Sequence, residues 1–274
     1  MDAVLIVAGL DPSGGAGLLA MLTCLLPLSL GFLLPAMLLL RMALGEGDAQ
    51  FGERFLILAR NSFTLAGLTS VIAVALAVLL AYSARLSASW LAKGLNRLVG
   101  LGYAVPGTVI AVGVLIPVTR LDNWLASQWQ AWFGVNPGLL LTGGIAALIY
   151  AYLVRFLAVA LQTVEASLSK ITPSMDDAAR SLGLGQGETL RRVHVPILRG
   201  SLLTASLLVF VDVMKELPAT LVMRPFNFDT LATQAYTLAS DERLAEASTA
   251  ALAIVAVGLL PLIALSRQIS LDRR

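Results

Sequence analysis

The chain has 274 residues, of which 58% are hydrophobic and only 13% are charged, and its formal net charge is +2. A soluble domain of this length needs a larger charged surface, so the composition excludes that class and indicates a polytopic membrane protein. The basic residues form no continuous stripe, and the small positive charge therefore excludes a role in nucleic-acid binding.

Six stretches are long and apolar enough to cross the lipid bilayer, since a spanning helix needs about 20 mostly apolar residues. No segment alternates polar and apolar residues as the strands of a membrane barrel do. The predicted fold is therefore all-α, a polytopic bundle of about six transmembrane helices with both termini on one side. The predicted spans are 20–40, 62–86, 95–118, 139–161, 200–223 and 247–265.

The first 20 residues, MDAVLIVAGLDPSGGAGLLA, predict a short apolar strand and a glycine-rich turn. They resemble the start of the hydroxymethylpyrimidine phosphate kinases, whose first strand leads to a DPSGGAG loop. The residues after Ala20 enter a membrane span, so the remainder of a kinase fold cannot follow. We therefore interpret residues 1–19 as an extraneous segment, left by a fusion, a mispredicted start or a spliced gene, and not as a nucleotide site.

The first transmembrane helix and the outer loop after it take residues 20–59. Cys24 is the single cysteine and lies in this apolar span, where it acts as a small hydrophobe. One cysteine excludes a disulfide or a cysteine-based metal site within the chain.

Two features disturb the third and fourth spans. Pro106 and Gly107 predict a kink in the third span, which brings its backbone close either to neighbouring helices or to an aqueous pathway. Arg155 lies in the fourth span about one to two turns from its predicted cytoplasmic end, where snorkelling of the side chain would account for its charge.

Three tryptophans follow the third span in the stretch 121–136, LDNWLASQWQAWFGVN. Their spacing predicts a short interfacial helix on the outer surface, because tryptophan prefers the boundary between lipid and water. We interpret this helix as an anchor, with contact to a binding protein as the alternative. The tryptophans are Trp124, Trp129 and Trp132.

A polar, glycine-punctuated segment at 177–196, DAARSLGLGQGETLRRVHVP, separates the fourth and fifth spans. Its first residues predict a short helix whose small side chains permit close approach by a partner, and Gly183 lets the backbone turn where that helix ends. Such a shape docks into a groove, whereas the alternative is an ordinary amphipathic loop. The pattern is carried by Asp177, Ala178, Ala179, Gly183, Val193, Val195 and Pro196.

This pattern resembles the EAA motif, the coupling loop of the permeases of ATP-binding cassette (ABC) importers. Asp177 stands where the family usually has Glu, and Val193 and Val195 stand where it usually has Ile and Leu. The resemblance implies a type I ABC importer permease fold and a dimer of separate ATPase subunits that docks on a cytoplasmic loop. Lys and Arg are more frequent on that side, which agrees with this orientation.

The chain has no Gly-Lys pair and therefore no Walker A sequence. We expect it to bind no cofactor and not to be an enzyme, with ATP used by the partner subunit. His194 is the only histidine, and one His and one Cys cannot build a metal site or a catalytic set. We therefore expect His194 to make a polar contact or to face a partner, and we assign no metal site.

Ionisable residues occur near the end of the fifth span, in VFVDVMKELPATLVMRPFNFDTLAT at 209–233. Asp212, Lys215 and Glu216 are spaced to project from one helical face, where the lysine partly neutralises the acids. This face either lines the translocation pathway, as intramembrane charge commonly does, or forms an ionic cluster that fixes helix packing. Pro218 then removes a backbone donor and loosens the far end of the span.

KELP followed by RPFNFDTLA, together with the coupling segment, resembles the ferric iron permeases of binding-protein-dependent ABC importers. The resemblance covers about 60–267, the predicted permease domain, and leaves 268–274 as a cytoplasmic tail. It implies a pore-forming subunit in the bacterial inner membrane that receives Fe(III) from a periplasmic iron-binding protein. A thiamine or other small-solute permease half is the alternative.

Members of that family commonly carry two six-helix halves in one chain, and this sequence contains one, which is similar to the second. One half cannot enclose a pathway between two coupling loops. We therefore expect a fragment, a chain that pairs with a separately encoded half, or a homodimer, embedded in the lipid bilayer.

Overall fold

The computed structural model describes residues 15–45, 51–87 and 89–271. Within these ranges every regular element is a helix and no strand occurs, so the predicted all-α class is confirmed. Six of the helices are long and apolar enough to cross a membrane, as predicted. They are Gly17–Gly45, Glu53–Leu86, Gly107–Phe133, Ala146–Leu168, Gln186–Met214 and Leu244–Pro261.

The described residues divide into two compact units, one with the residues up to Phe51 and Ala235–Leu252, the other with Gly52–Gln234 and the residues from Ala253 on. The first unit begins with α1 (Gly15–Leu28), a π-helical turn and α2 (Leu34–Gly45). Helix already at Gly15 means that the predicted glycine-rich turn does not extend to Gly17. The rest of the kinase-like segment, residues 1–14, lies outside the described residues.

The core of the second unit is a packed trio of α3 (Glu53–Leu86), α6 (Ala146–Leu168) and α9 (Val195–Met214). Small side chains lie where these helices touch and let the backbones approach closely, which is the common packing mode of membrane helices. The buried alanines include Ala66, Ala73, Ala77, Ala151, Ala158 and Ala205. Because α3 begins at Glu53, the domain boundary predicted at residue 60 falls inside a helix.

The third span is broken where a kink was predicted. The predicted range 95–118 takes in most of α4 (Trp90–Gly100), a 3-10 turn and the first part of α5 (Gly107–Phe133), with Pro106 as the N-cap of α5. Of these helices α5 is the one long enough to cross the membrane, so the span begins later than predicted. Proline cannot donate the backbone hydrogen bond that would continue the first helix, and it holds the residue before it in an extended conformation. Gly102 belongs to the 3-10 turn and packs so closely on α6 that a Cβ there would lie 2.0 Å from the Val154 carbonyl oxygen.

The predicted interfacial tryptophan helix is not a separate element. Trp124, Trp129 and Trp132 lie on the last turns of α5, which continues without a break until Gly134 ends it at a φ of +67°. All three indole rings are exposed, as an anchor at a lipid boundary requires.

The fourth span begins later than predicted, at Ala146 instead of residue 139. Asp122 on α5 causes the delay, because its buried carboxylate accepts the backbone N–H groups of Leu140, Leu141 and Thr142 at 2.7–3.0 Å. The Thr142 hydroxyl donates a fourth hydrogen bond to the same carboxylate at 2.7 Å. These apolar residues are therefore held as a loop.

The fifth span begins earlier than predicted and also ends earlier. It contains α8 (Gln186–Thr189), a π-helical turn (Leu190–His194) and α9, and it ends at Met214. After a break at 215–217 follows α10 (Pro218–Met223). The chain then forms α11 (Leu231–Ser240) and α12 (Leu244–Leu271), so part of the predicted tail is helical.

Candidate coupling site and intramembrane charges

The predicted coupling segment contains the short helix α7 (Pro173–Ser181), which follows the end of the fourth span. Pro173 occupies its first turn, where a missing N–H costs nothing. Gly183 follows the helix with a φ of +82°, and the N–H groups of Gly183 and Leu184 bond back to the carbonyls of Arg180 and Ala179. The predicted turn at Gly183 is therefore confirmed, since glycine adopts this conformation without steric cost.

The two faces of α7 differ in exposure. Asp177 and Ala178 are exposed, and Asp177 pairs with Arg180, with 67% and 70% of the two side chains exposed. Ala179 lies on the opposite face and is buried. The outer face therefore combines a small side chain with a surface ion pair, and it remains open to a partner.

The end of the predicted segment has a different structure from its start. Val193 lies in the π-helical turn, and Val195 and Pro196 form the first turn of α9. The two valines are half-buried and Pro196 is exposed. The motif therefore joins the short helix α7, which was predicted, to the beginning of a membrane span, which was not predicted within the motif.

Asp176, an acid directly before the predicted motif, attaches α7 to the bundle. Its Oδ2 accepts hydrogen bonds from Arg85 Nε at 3.2 Å and Nη2 at 2.7 Å, and its Oδ1 lies 2.7 Å from His194 Nε2. Burial by itself would raise the pKa of the Asp176 carboxyl, but the hydrogen bond and charge of Arg85, followed by His194, hold that pKa below its usual range.

His194 is fully buried and makes the inward polar contact that was one of its two expected roles. Its ring packs edge-on against Tyr82, with the ring centroids 5.3 Å apart. The Tyr82 hydroxyl donates a hydrogen bond to the Gln186 carbonyl at 2.8 Å, which fixes the start of the fifth span. The sequence contains a signal for this contact. Tyr82 and Arg85 are polar residues in the last two turns of the predicted second span, which ends on the same side of the membrane as the coupling segment.

The intramembrane acids and lysine do not form one cluster, contrary to prediction. Lys215 Nζ lies 2.9 Å from Asp212 Oδ1, and 59% of the lysine side chain is exposed. Glu216 comes after the end of α9 and its side chain is 2% exposed. The break before Pro218 turns Glu216 away from the helical face of the other two, so Lys215 is the member of this set that reaches an open surface, while its partner Asp212 is 13% exposed.

The Glu216 carboxylate caps α10. It accepts the backbone N–H of Ala219 at 3.1 Å and that of Thr220 at 3.2 Å, which are the first free donors of this short helix. The Thr220 hydroxyl in turn lies 2.5 Å from the hydroxyl of Tyr152 on α6. Where the helix of the fifth span ends, the Glu216 carboxylate thus accepts the backbone N–H groups that an uninterrupted helix would pair with its own carbonyls.

The counter-charge of Glu216 is Arg155, whose Nη1 lies 3.2 Å from Glu216 Oε1. Because α6 continues to Leu168, Arg155 lies mid-helix, and the predicted snorkelling is wrong. Gly107 makes room for the pair, since a Cβ there would lie 2.2 Å from Arg155 Nη1 and 2.6 Å from Glu216 Oε1. The breaks in the third and fifth spans therefore meet at one ion pair.

The segment with RPFNFDT forms a loop fixed to the start of α3. Asn61 Nδ2 donates to the Asp229 carbonyl at 2.9 Å, and the Leu231 N–H donates to the Ser62 hydroxyl at 2.9 Å. Asp229 also pairs with Arg224. Since Asn61 is 24 residues before Arg85 on one helix, the loop lies about 36 Å from the end that carries α7, which exceeds the hydrocarbon thickness of a bilayer.

A comparison with known protein families decides what this arrangement of helices is. A family model described as a binding-protein-dependent transport system inner membrane component matches residues 73–274. The chain belongs to this family. The match begins within α3 and continues through α6, α7, α9 and both broken spans, so the family accounts for the multi-pass architecture over this range.

Relatives within this inner-membrane component family differ in substrate. The Fe(3+)-transport system permease protein FbpB 2 of Haemophilus influenzae is 30% identical over 222 residues, covering 81% of this chain and 40% of the relative. PhnV of Salmonella typhimurium, a candidate 2-aminoethylphosphonate transport system permease protein, is 25% identical over 175 residues, covering 64% of this chain and 60% of the relative. The chain thus spans less than two thirds of the length of either relative.

A solved structure has the same fold. It is that of a bacterial alginate ABC transporter in complex with an alginate pentasaccharide-bound periplasmic protein, and one of its chains superposes with a TM-score of 0.65 at 18% identity. The superposition covers 92% of this chain and 94% of the other. At this identity the similarity establishes the fold alone.

Proposed function

We propose that this chain is the pore-forming permease subunit of an ATP-driven ABC importer and that α7 docks on a separate ATPase subunit. One observation carries the proposal: α7 is a short helix between the ends of two spans, and its outer face presents Asp177 and Ala178. A small side chain on an exposed helix lets a partner's groove approach the backbone closely. The family membership and the alginate transporter fold support this role.

We further propose that a second permease half, or a second copy of this chain, completes the translocation pathway in the bacterial inner membrane. Each half would present one coupling helix to one of two ATPase subunits. ATP would be bound and hydrolysed by those subunits and not by this chain. Closure of the ATPase dimer would draw the two α7 helices together, and the attached spans would rock to alternate the accessible side.

Fe(III) delivered by a periplasmic iron-binding protein is the substrate that we propose. The 30% identity to FbpB 2 supports it, as does the RPFNFDTLA sequence at the end remote from α7. Within the described ranges, no three His, Cys, Asp or Glu side chains come together as a metal site. The surface that we propose for the passage of iron includes Lys215, whose side chain is 59% exposed, and its ion-pair partner Asp212.

A small organic solute is the alternative substrate, and the match to PhnV is the observation that favours it. A phosphonate or thiamine would use the same architecture and the same coupling helix. The two proposals differ only in what the binding protein delivers and in what the pathway accepts, so a competition experiment separates them.

The test is uptake into liposomes. The tagged chain is purified from membranes with its accompanying subunits, reconstituted, and supplied with binding protein outside and ATP inside. We expect radiolabelled Fe(III) to accumulate only with ATP, and an excess of thiamine or 2-aminoethylphosphonate to leave uptake unchanged. Accumulation of the phosphonate instead of iron would reject the substrate but retain the importer, whereas ATP-independent flux would identify a channel.

A further inference from the structure

Arg85 joins the coupling helix to the ends of two spans. It lies in the last turn of α3, and its guanidinium donates hydrogen bonds to the Leu168 carbonyl at 3.0 Å and to the Ile171 carbonyl at 2.9 Å. Leu168 is the last residue of α6, whose free carbonyls attract a cation. The remaining hydrogen bonds of Arg85 go to Asp176 on α7, so one side chain fixes α3, α6 and α7 together.

A second set of contacts joins α7 to the fifth span. His194 lies in the π-helical turn before α9 and contacts the other oxygen of Asp176. Tyr82, one turn before Arg85 on α3, packs on His194 and bonds to the Gln186 carbonyl. Asp176 is therefore held from two sides by residues of two different spans, and we refer to Tyr82, Arg85, Asp176 and His194 as the brace.

The two adjacent acids of α7, Asp176 and Asp177, face different surroundings. The Asp176 side chain is 24% exposed and points to the bundle, whereas the neighbouring Asp177 points to the open face. The connections of α7 at 169–172 and 182–185 are short non-helical segments, and the second contains two glycines. Without the brace, these two segments would let α7 swing relative to the spans, because non-helical backbone and glycine resist bending poorly.

We propose that Arg85, acting through Asp176 and together with His194, is a positioning residue that makes α7 move as one body with α3, α6 and α9. A displacement imposed on α7 is then transmitted to the spans and is not absorbed at 169–172 and 182–185. This inference rests on the proposed importer function, because it requires a partner that moves α7. It assigns a role to residues that face the bundle and not the open face of α7.

Arg85→Gln in the reconstituted transporter tests this role, with Arg199→Gln as the matched control. Arg199 is exposed on α9 close to the same end of the bundle, so its replacement changes the charge by the same amount. Three quantities are measured: the ATPase subunit that co-purifies, the rate of ATP hydrolysis, and the substrate taken up per ATP hydrolysed. Uptake per ATP is a ratio. A smaller amount of folded protein lowers uptake and hydrolysis equally and therefore leaves this ratio unchanged.

For Arg85→Gln we expect normal ATPase association and continued hydrolysis, with uptake per ATP reduced at least about tenfold, since several charge-assisted hydrogen bonds are lost together. Arg85→Lys keeps the charge but not the planar set of donors, and we expect an intermediate ratio. Arg199→Gln should keep the ratio of the unmodified protein. An unchanged ratio in Arg85→Gln would overturn the proposal.

Two further results separate this inference from its premise. If Arg85→Gln fails to fold, Asp176→Asn removes the charge at constant side-chain volume, and a normal uptake ratio in that variant would equally overturn the proposal. If the unmodified chain neither retains an ATPase subunit nor supports ATP-dependent uptake, the importer function itself is wrong. The two failures are therefore distinct.

Discussion

Arg155 Nη1 lies 3.2 Å from Glu216 Oε1, which links the middle of the fourth span to the point where the fifth span breaks. Removing one partner of a buried ion pair leaves the other charge without compensation. Glu216 additionally caps α10, so its loss also frees the N–H groups of Ala219 and Thr220. The pair therefore stabilises the break in the span, and each partner should be costly to remove.

We expect Glu216→Ala to lower the free energy of unfolding by about 3–5 kcal/mol, the usual cost of an uncompensated buried charge. Unfolding in detergent micelles measures the change. Lys215→Ala is the control, because it removes an adjacent ion pair whose lysine is 59% exposed to water and should therefore cost less than Glu216→Ala. In the double variant Glu216→Ala/Arg155→Ala, the loss of unfolding free energy should be smaller than the sum of the two single losses. A loss equal to that sum would contradict a direct interaction between the two side chains.

A second prediction concerns Gly107, the first residue of α5. A Cβ at this position would displace the Arg155 guanidinium, because Nη1 is the nearest atom and belongs to a flexible side chain. We expect Gly107→Ala to destabilise the protein by breaking the Arg155–Glu216 pair. Gly113→Ala on the same helix meets nothing within 4 Å and should be stabilising by up to about 1 kcal/mol, as alanine is in a helix interior. Thermal unfolding of the two variants compares them directly, and equal midpoints would reject the steric argument.

The sequence predicts the spans because a 20-residue apolar run is a local property, and all six predicted spans overlap helices of that kind. It also predicts the turn at Gly183, since a glycine after a short helix has a local cause. The partner of Arg155 was not predictable in this way. Its acid lies 61 residues away, and a spacing rule that operates at three or four residues instead places Glu216 on one helical face with Asp212.

The errors in helix bounds have the same origin. Residues 139–145 are mostly apolar and were predicted as the start of a span, yet a carboxylate on another helix, Asp122, accepts the backbone N–H groups of residues 140–142 and keeps the stretch in a loop. Asp176 was passed over because the motif pattern begins at Asp177, and only the fold shows that the two acids point in opposite directions. Local patterns thus locate the helices, while the polar contacts that stop and orient them depend on packing.

A third prediction concerns the end of α7. Gly183 has a φ of +82°, a conformation that a β-branched residue adopts only with strain. We expect Gly183→Val to distort the end of the helix and to reduce the amount of ATPase subunit that co-purifies with the chain. Gly185→Val is the matched control, since Gly185 has a φ of −74° and open space around its Cα. Undiminished ATPase association together with intact uptake in Gly183→Val would remove the coupling assignment.

The last prediction is a pH dependence of the attachment of α7. The pKa of Asp176 is lower in the folded protein than in the unfolded chain, where it is about 3.9, so the ionised carboxylate stabilises the folded state above that pH. This stabilisation is lost as the pH falls through the lower, folded-state pKa. We expect amide hydrogen exchange in α7 to accelerate relative to the rest of the bundle below about pH 4. In Asp176→Asn, exchange in α7 should already be fast at neutral pH, and no further acceleration should occur below about pH 4. Asp177→Asn should retain the acceleration at low pH. A transition that persists in Asp176→Asn would mean that another group controls the attachment.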